Sequence, residues 1–287
     1  MFYLALLLLI FSGAAVFVAV RNARFQQQVD AEIDRLLAAG TSQPAADQPA
    51  TAADASMDHL PPLMRTYLER TLPPDLPLIT SARLRQSGHM RPAPDQPWRP
   101  FSATQYFTTQ PPGFVWRAQA QFAPGVRVAV RDTYRQQYGN MHIRLLSAFT
   151  IDDVSGPELA AGALIRYLAE MTWFPTAFLD PTHITWETVD DRTVRATMRD
   201  GDVTAPVEYV FDDSGDIVRI TSSARYFSTE DDQPTAWFGE CQRYETFNGV
   251  RIPAEVHVGW APHTGSYVWW KGTIESIDYN VPRRYAD

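Results

Sequence analysis

Cysteine and lysine are nearly missing from this chain of 287 residues: Cys241 and Lys271 are the only ones. A single cysteine excludes an intrachain disulfide and any zinc site built from several thiolates. Free cysteine is most often a small core residue, and a nucleophile would need a partner histidine that the sequence does not place beside it. Positive charge falls to arginine, with no basic run, and the net charge is -8 at a pI of about 5.3. An acidic chain repels phosphate backbones, so no nucleic-acid partner is expected. Gly-x-Ser-x-Gly, P-loop and Gly-x-Gly-x-x-Gly motifs are absent. His59, His89, His142, His183, His257 and His263 are scattered without metal-ligand spacing, so neither a metal nor a cofactor is expected. Asp190–Asp191 and Asp212–Asp213 fall in turns, where acidic side chains serve turn geometry.

Charge is also absent from Phe2–Val20, "FYLALLLLIFSGAAVFVAV". At about 1.5 Å per residue this run is roughly 28 Å long, the hydrocarbon thickness of a bilayer. Residues 1–21 are therefore expected to form a transmembrane anchor. The rival reading, a cleaved signal peptide, lacks a basic n-region. Arg21 and Arg24 behind the run point the rest of the chain to the cytoplasm. A long β-rich domain behind one N-terminal segment is, against that, commonly exported. The expectation is a single-pass protein of the inner membrane with the side of its domain open, the balance leaning extracytoplasmic. Residues 22–40 read as a juxtamembrane helix, with Phe25, Val29, Ile33, Leu36 and Leu37 at helical spacing and Gly40 to end it. Residues 41–57 read as a flexible tether, since the Ala- and Pro-rich stretch 41–56 has no aromatic or large aliphatic side chain. One β-rich domain, 58–287, follows.

That domain opens with a helix in "PPLMRTYLERTL", striped by Leu63, Met64, Tyr67 and Leu68. Period-two alternation then takes over. In "FVWRAQAQF", Phe114, Trp116, Ala118, Ala120 and Phe122 share one face, and Arg117, Gln119 and Gln121 the other. Val126, Val128 and Val130, then Met141, Ile143 and Leu145, repeat the pattern. The C-terminal part reads as a meander whose sharpest signal is the Asn248–Gly249 hairpin. The fold class is mainly β (α+β): a large antiparallel, strongly curved sheet or unclosed barrel of about eleven strands, with one or two helices on its concave side.

A second helix interrupts the strands. Ser155-Gly-Pro-Glu158 reads as a capping box, and Leu159, Ala160, Ala163, Leu164, Tyr167 and Met171 as one face. In "IRYLAEMTWFPTAF", Glu170 lies at the margin of that face, one turn from Arg166. The two can pair as i,i+4 neighbours. If Trp173 and Phe174 cover Glu170 instead, its pKa rises and it becomes a weak candidate for a catalytic acid. Arg225, Tyr226, Trp237 and Glu240 fall near strand ends, where they could line a cavity mouth.

"PPLMRTYLERTLP", "RLRQSGHMR", "PPGFVWRA", "GPELAAGALIRYLAEMTWFPTAFL", "PTAWFGE" and "GVRIPAEV" resemble, in order, an uncharacterised bacterial family known only as a domain of unknown function. The likeness runs from about residue 60 to 280, and the stretch around Arg166 to Leu179 is its most specific part. It implies no activity. The expected architecture is also similar to that of periplasmic lipoprotein carriers, which implies a hydrophobic ligand, a lipid or an acylated molecule. The leading expectation is thus a membrane-anchored half-barrel with a cavity of several hundred Å³. Its expected ligand-binding residues are Trp116, Arg166, Tyr167, Glu170, Trp173, Arg225 and Trp237. The alternatives are an enzyme on a lipid or envelope substrate using Glu170 as acid or base, and an interaction module of an envelope complex with a filled core.

Overall fold

The alternation in the sequence becomes one continuous antiparallel sheet of thirteen strands among the described residues. The structure, a computed structural model, describes residues 2–41, 50–226, 233–263 and 265–286, without the side chains of residues 2, 4–11 and 41. Six strands run as a meander: β1 (Ser81–Met90), β2 (Arg99–Thr109), β3 (Pro112–Ala123), β4 (Val126–Arg135), β5 (Tyr138–Leu145) and β6 (Phe149–Ser155). After a helical insertion come β7 (Ile184–Thr188), β8 (Thr193–Asp200), β9 (Val203–Phe211), β10 (Ile217–Ser222), β11 (Ala236–Phe247), β12 (Val250–Ala261) and β13 (Tyr267–Tyr279). The first and last strands pair with each other, so the order is β6-β5-β4-β3-β2-β1-β13-β12-β11-β10-β9-β8-β7. The edges β6 and β7 do not pair, and the barrel stays open.

Turn chemistry holds the register. Asn248 and Gly249 both have positive φ, 49° and 84°, as a two-residue hairpin of this twist requires. Asp212 accepts the backbone N–H groups of Ser214 and Asp216 in the β9–β10 turn.

The insertion fills the concave side. It consists of α3 (Pro157–Glu170) and two 3-10 turns, Met171–Trp173 and Pro175–Leu179. The expected capping box does not form. Ser155 pairs with Asn140 as the last residue of β6, Gly156 is the N-cap, and Pro157 begins the helix with its φ already set. Nor is α3 one-sided: Gly162, Ile165, Leu168 and Ala169 are buried as well as Ala160, Ala163, Leu164 and Tyr167 of the expected stripe, whose first member, Leu159, is half-buried. Strands β3, β4, β5 and β6 lie against it on one side and β9 on the other. At the other strand ends α2 (Pro62–Thr71) buries Met64, Tyr67 and Leu68 in the same core.

The N-terminal helix α1 (Phe2–Thr41) is one uninterrupted element. Among the described residues no helix is long and apolar enough to cross a membrane, and the anchor expected over residues 1–21 rests on the sequence. The C-terminal half of α1 lies on the convex face. There Phe25, Val29, Ile33, Leu36 and Leu37 pack on Tyr106, Val115 and Ala129. Asp30 pairs with Arg117 and Arg284, and Glu32 with Arg131. Of the residues read as a tether, 42–49 lie outside the described residues; further on, Thr51 bridges to Pro77 and Ala52 is buried in the main core.

Candidate functional site

Polar side chains interrupt the apolar beat of the inner face on β1, β2 and β4, around Trp116 of β3. Gln105 on β2 stands opposite Trp116 on β3, which stands opposite Asp132 on β4. Gln86 on β1 completes the group: its Oε1 accepts the Trp116 indole N–H at 2.9 Å. Helix α3 lowers Arg166 and Glu170 onto this row. Arg166 donates from Nε to Glu170 Oε1 at 2.9 Å and from Nη1 to Asp132 Oδ2 at 2.7 Å, while Gln105 Nε2 donates to Glu170 Oε2 at 2.7 Å. The guanidinium also lies over the rings of Phe114 and Trp116, 5.0 and 4.9 Å from their centroids. Burial raises the pKa of Glu170, and its bonds to Arg166 and Gln105 offset only part of that rise. Burial pulls Arg166 down, but Glu170 and Asp132 outweigh it and hold the cation in place. Both carboxylate oxygens of Glu170 are occupied by donors from the protein itself. The arrangement clamps α3 to the sheet. Two buried amide atoms remain without partners, Gln86 Nε2 and Gln105 Oε1.

A second guanidinium lies close by in a different setting. Arg225 stands over Trp237 and Trp260, 5.2 and 5.4 Å from the ring centroids, with its stem alongside Gly162 of α3. Among the described residues no carboxylate pairs with it. Burial, then repulsion from Arg166, lowers its pKa to about 10. An aromatic-x-glycine pattern recurs on β11 and β13. The Trp270 indole lies across Gly272, where a Cβ would overlap the ring, and the Trp237 indole lies against Gly239. Trp270 further contacts Phe101, with ring centroids 5.4 Å apart. The Trp237 indole N–H is buried without a partner. Phe101, Trp116, Trp237, Trp260 and Trp270 keep 4–7% exposure, whereas Tyr167, Phe174 and Phe178 keep 0–1%. These five rings thus keep slightly more exposure than Tyr167, Phe174 and Phe178.

A notch opens beside Trp237. Pairing of β10 with β9 ends at Thr221–Glu208, so among the described residues Val203–Val207 of β9 have no strand neighbour on that side. The resulting cavity of about 450 Å³ is lined by Pro206, Val207, Ser222, Trp237, Phe238 and Ala261, with Arg195, Glu208 and Arg219 at its rim. A larger groove of about 840 Å³ between α1 and the C-terminal tail is a different case. Its main charges are already neutralised, Arg284 by Asp30 and Asp34, and Arg83 by Asp278.

Of the seven residues expected at a ligand site, Trp116, Arg166 and Glu170 meet in the clamp, and Arg225 lies over Trp237, which lines the notch while Arg225 does not. Tyr167 and Trp173 go elsewhere: Tyr167 donates to the Thr108 carbonyl and Trp173 to the Pro253 carbonyl, both in the packed core. A cavity lined jointly by Trp116, Tyr167, Trp173 and Trp237 is not formed, because α3 and the 3-10 turns occupy that space; only Trp237 lines the notch. Gln86, Gln105, Asp132, Trp260 and Trp270 were not singled out from the sequence. A signal for three of them exists: each puts a polar residue on an apolar beat, Gln86 after Leu84, Gln105 after Ala103, Asp132 after Val130. The Cys241 thiol is buried and pushed up to about 12, as suits a core residue.

A comparison with curated proteins finds no match. Among solved structures the chain is similar to a DUF1329 family protein from Desulfovibrio piger ATCC 29098, with a TM-score of 0.42 and 12% identity, covering 76% of this chain and 91% of that one. It is also similar to a LolA superfamily protein from Nitrosomonas europaea, with a TM-score of 0.38 and 11% identity, covering 78% and 93%. The sequence pattern of a family of unknown function, DUF6544, matches residues 50–272, most of the chain, and the protein belongs to that family.

Proposed function

We propose that this protein is a membrane-anchored binding protein for an amphiphile, a lipid or an acylated molecule with an anionic head. The observation that carries this reading is Arg225, a part-buried guanidinium lying over two neighbouring indoles with no carboxylate paired with it among the described residues. Removing a cation from water without a counter-charge is costly, and a bound carboxylate or phosphate offsets that cost. The notch beside Trp237 has the size of a small-ligand pocket and a mainly apolar lining, which suits the tail of the same molecule. The uncharged run Phe2–Val20 supplies the anchor. In this reading Glu170 is a clamp for Arg166, with both oxygens engaged, and not an acid or base for a substrate.

Native mass spectrometry of the full chain, purified gently from its own cells in detergent, tests the proposal. The wild-type protein is expected to carry an added mass that solvent extraction identifies as an anionic amphiphile. Arg225→Ala is expected to lose it and Arg225→Lys to keep part of it. A wild-type protein that is empty and stays empty when offered anionic lipids overturns the reading.

A further inference from the structure

The exposed apolar side chains of this protein are not scattered evenly. Phe149 and Ile151, at the start of the edge strand β6, are 47% and 59% exposed, and Val126 at the start of β4 is 36% exposed. The two turns that present them touch, since Leu146 donates its N–H to the Arg127 carbonyl. Helix α1 passes this corner: the Phe17 ring lies 6.2 Å from that of Phe149, and Arg21 Nε donates to the Ala148 carbonyl at 2.8 Å. Val16, Phe17 and Val20 are themselves exposed, continuous with the uncharged run that precedes them. Arg21 and Arg127 stand at the same corner, and Arg144 reaches in to the Ala148 carbonyl. Beyond Ile151 the strand turns acidic, with Asp152 and Asp153. Apolar tips, then arginines, then acids is the polarity profile of a surface that enters a lipid headgroup layer. An edge strand with bare Phe and Ile otherwise invites aggregation.

We propose that Phe149, Ile151 and Val126, together with Phe17 of α1, form a surface that dips into the lipid bilayer. The proposal rests on the anchor reading above. It has a consequence for the ligand site. Antiparallel pairing puts the starts of β4, β6, β11 and β13 and the end of β12 at one end of the sheet, so Trp237, Trp260 and Trp270 lie at the strand ends that face the membrane. An amphiphile leaving the bilayer would meet these indoles first.

The test uses the full chain in a Cys241→Ala background, reconstituted into phosphatidylethanolamine–phosphatidylglycerol vesicles. A polarity-sensitive fluorophore is attached at Ile151→Cys, at Phe149→Cys and, as a control, at Val189→Cys, an exposed apolar position in the β7–β8 turn at the opposite strand ends. The labels at 151 and 149 are expected to shift to the blue and to lose fluorescence several-fold when the vesicles contain shallow doxyl-labelled lipid, while the label at 189 stays aqueous. Chains that float with the vesicles but leave 151 and 149 as aqueous as 189 overturn the bilayer face and leave the anchor standing. Chains that do not float overturn both.

Discussion

At the scale of single residues, Arg166 is the side chain on which the inner face depends. It holds Glu170 and Asp132, both of which are largely withdrawn from water. Taking the cation away strands two carboxylates where water cannot solvate them. Arg166→Met is therefore expected to lose about 3–5 kcal/mol of stability, and Arg166→Met/Asp132→Asn/Glu170→Gln to regain much of it, as read from urea unfolding. Equal losses in the single and triple variants would show that packing, not charge, is what Arg166 supplies. Half of this cluster was legible beforehand. The i,i+4 spacing exposes the Arg166–Glu170 pair, because helical neighbours are fixed by local geometry. Asp132 and Gln105 lie far away in sequence, and only the sheet register brings them under the helix.

At the scale of elements, the 3-10 turn Pro175–Leu179 must hand the chain from the filled centre to the edge strand β7. Asp180 closes that step: it accepts the Thr182 N–H at 2.7 Å and pairs with His183 Nδ1 at 2.7 Å. The bond to Asp180 raises the pKa of His183 above the ordinary 6.5, against the opposing effect of burial. A raised histidine pKa gives stability that is complete below 6.5 and fades as pH rises through the raised value. Burial pushes Asp180 up, yet its bonds to His183 and Thr182 leave it below its ordinary value, so its share fades as pH falls through that lowered value. His183→Gln should thus cost most near about pH 5.5 and little near about pH 9. Thermal melts at both values check it, and an equal deficit would remove charge from the explanation. The helices show how element reading succeeds and fails. The stripe of α2 was legible because it has one buried side. Helix α3 is buried nearly all round by a sheet that curves over it, and a one-sided stripe understates that.

At the scale of the whole molecule, the seam between β1 and β13 joins the two halves of the sheet into one core. Gly88 and Gly272 face each other across it, and a Cβ on Gly88 would overlap the backbone carbonyl of Lys271. Gly88→Ala must force the strands apart, at a cost of about 1–3 kcal/mol. Because the core runs from Ala52 to Ile277 without a break, tryptophan fluorescence and near-UV circular dichroism should shift together in urea. Separate transitions would mean that the halves fold independently. Sequence by itself determined the class: alternation of period two, the Asn248–Gly249 turn and the absence of a regular strand–helix–strand order leave an antiparallel sheet as the way to bury these faces. It also determined the uncharged N-terminal run and the acidic, arginine-borne charge. Only the tertiary structure decided that the concave side is plugged by α3, that Tyr167 and Trp173 belong to the core, and that Arg225 ends beside Trp237 and Trp260. Those outcomes depend on which strands become neighbours and how far the sheet curls. Contacts between distant segments set both, and no local period in the chain records them.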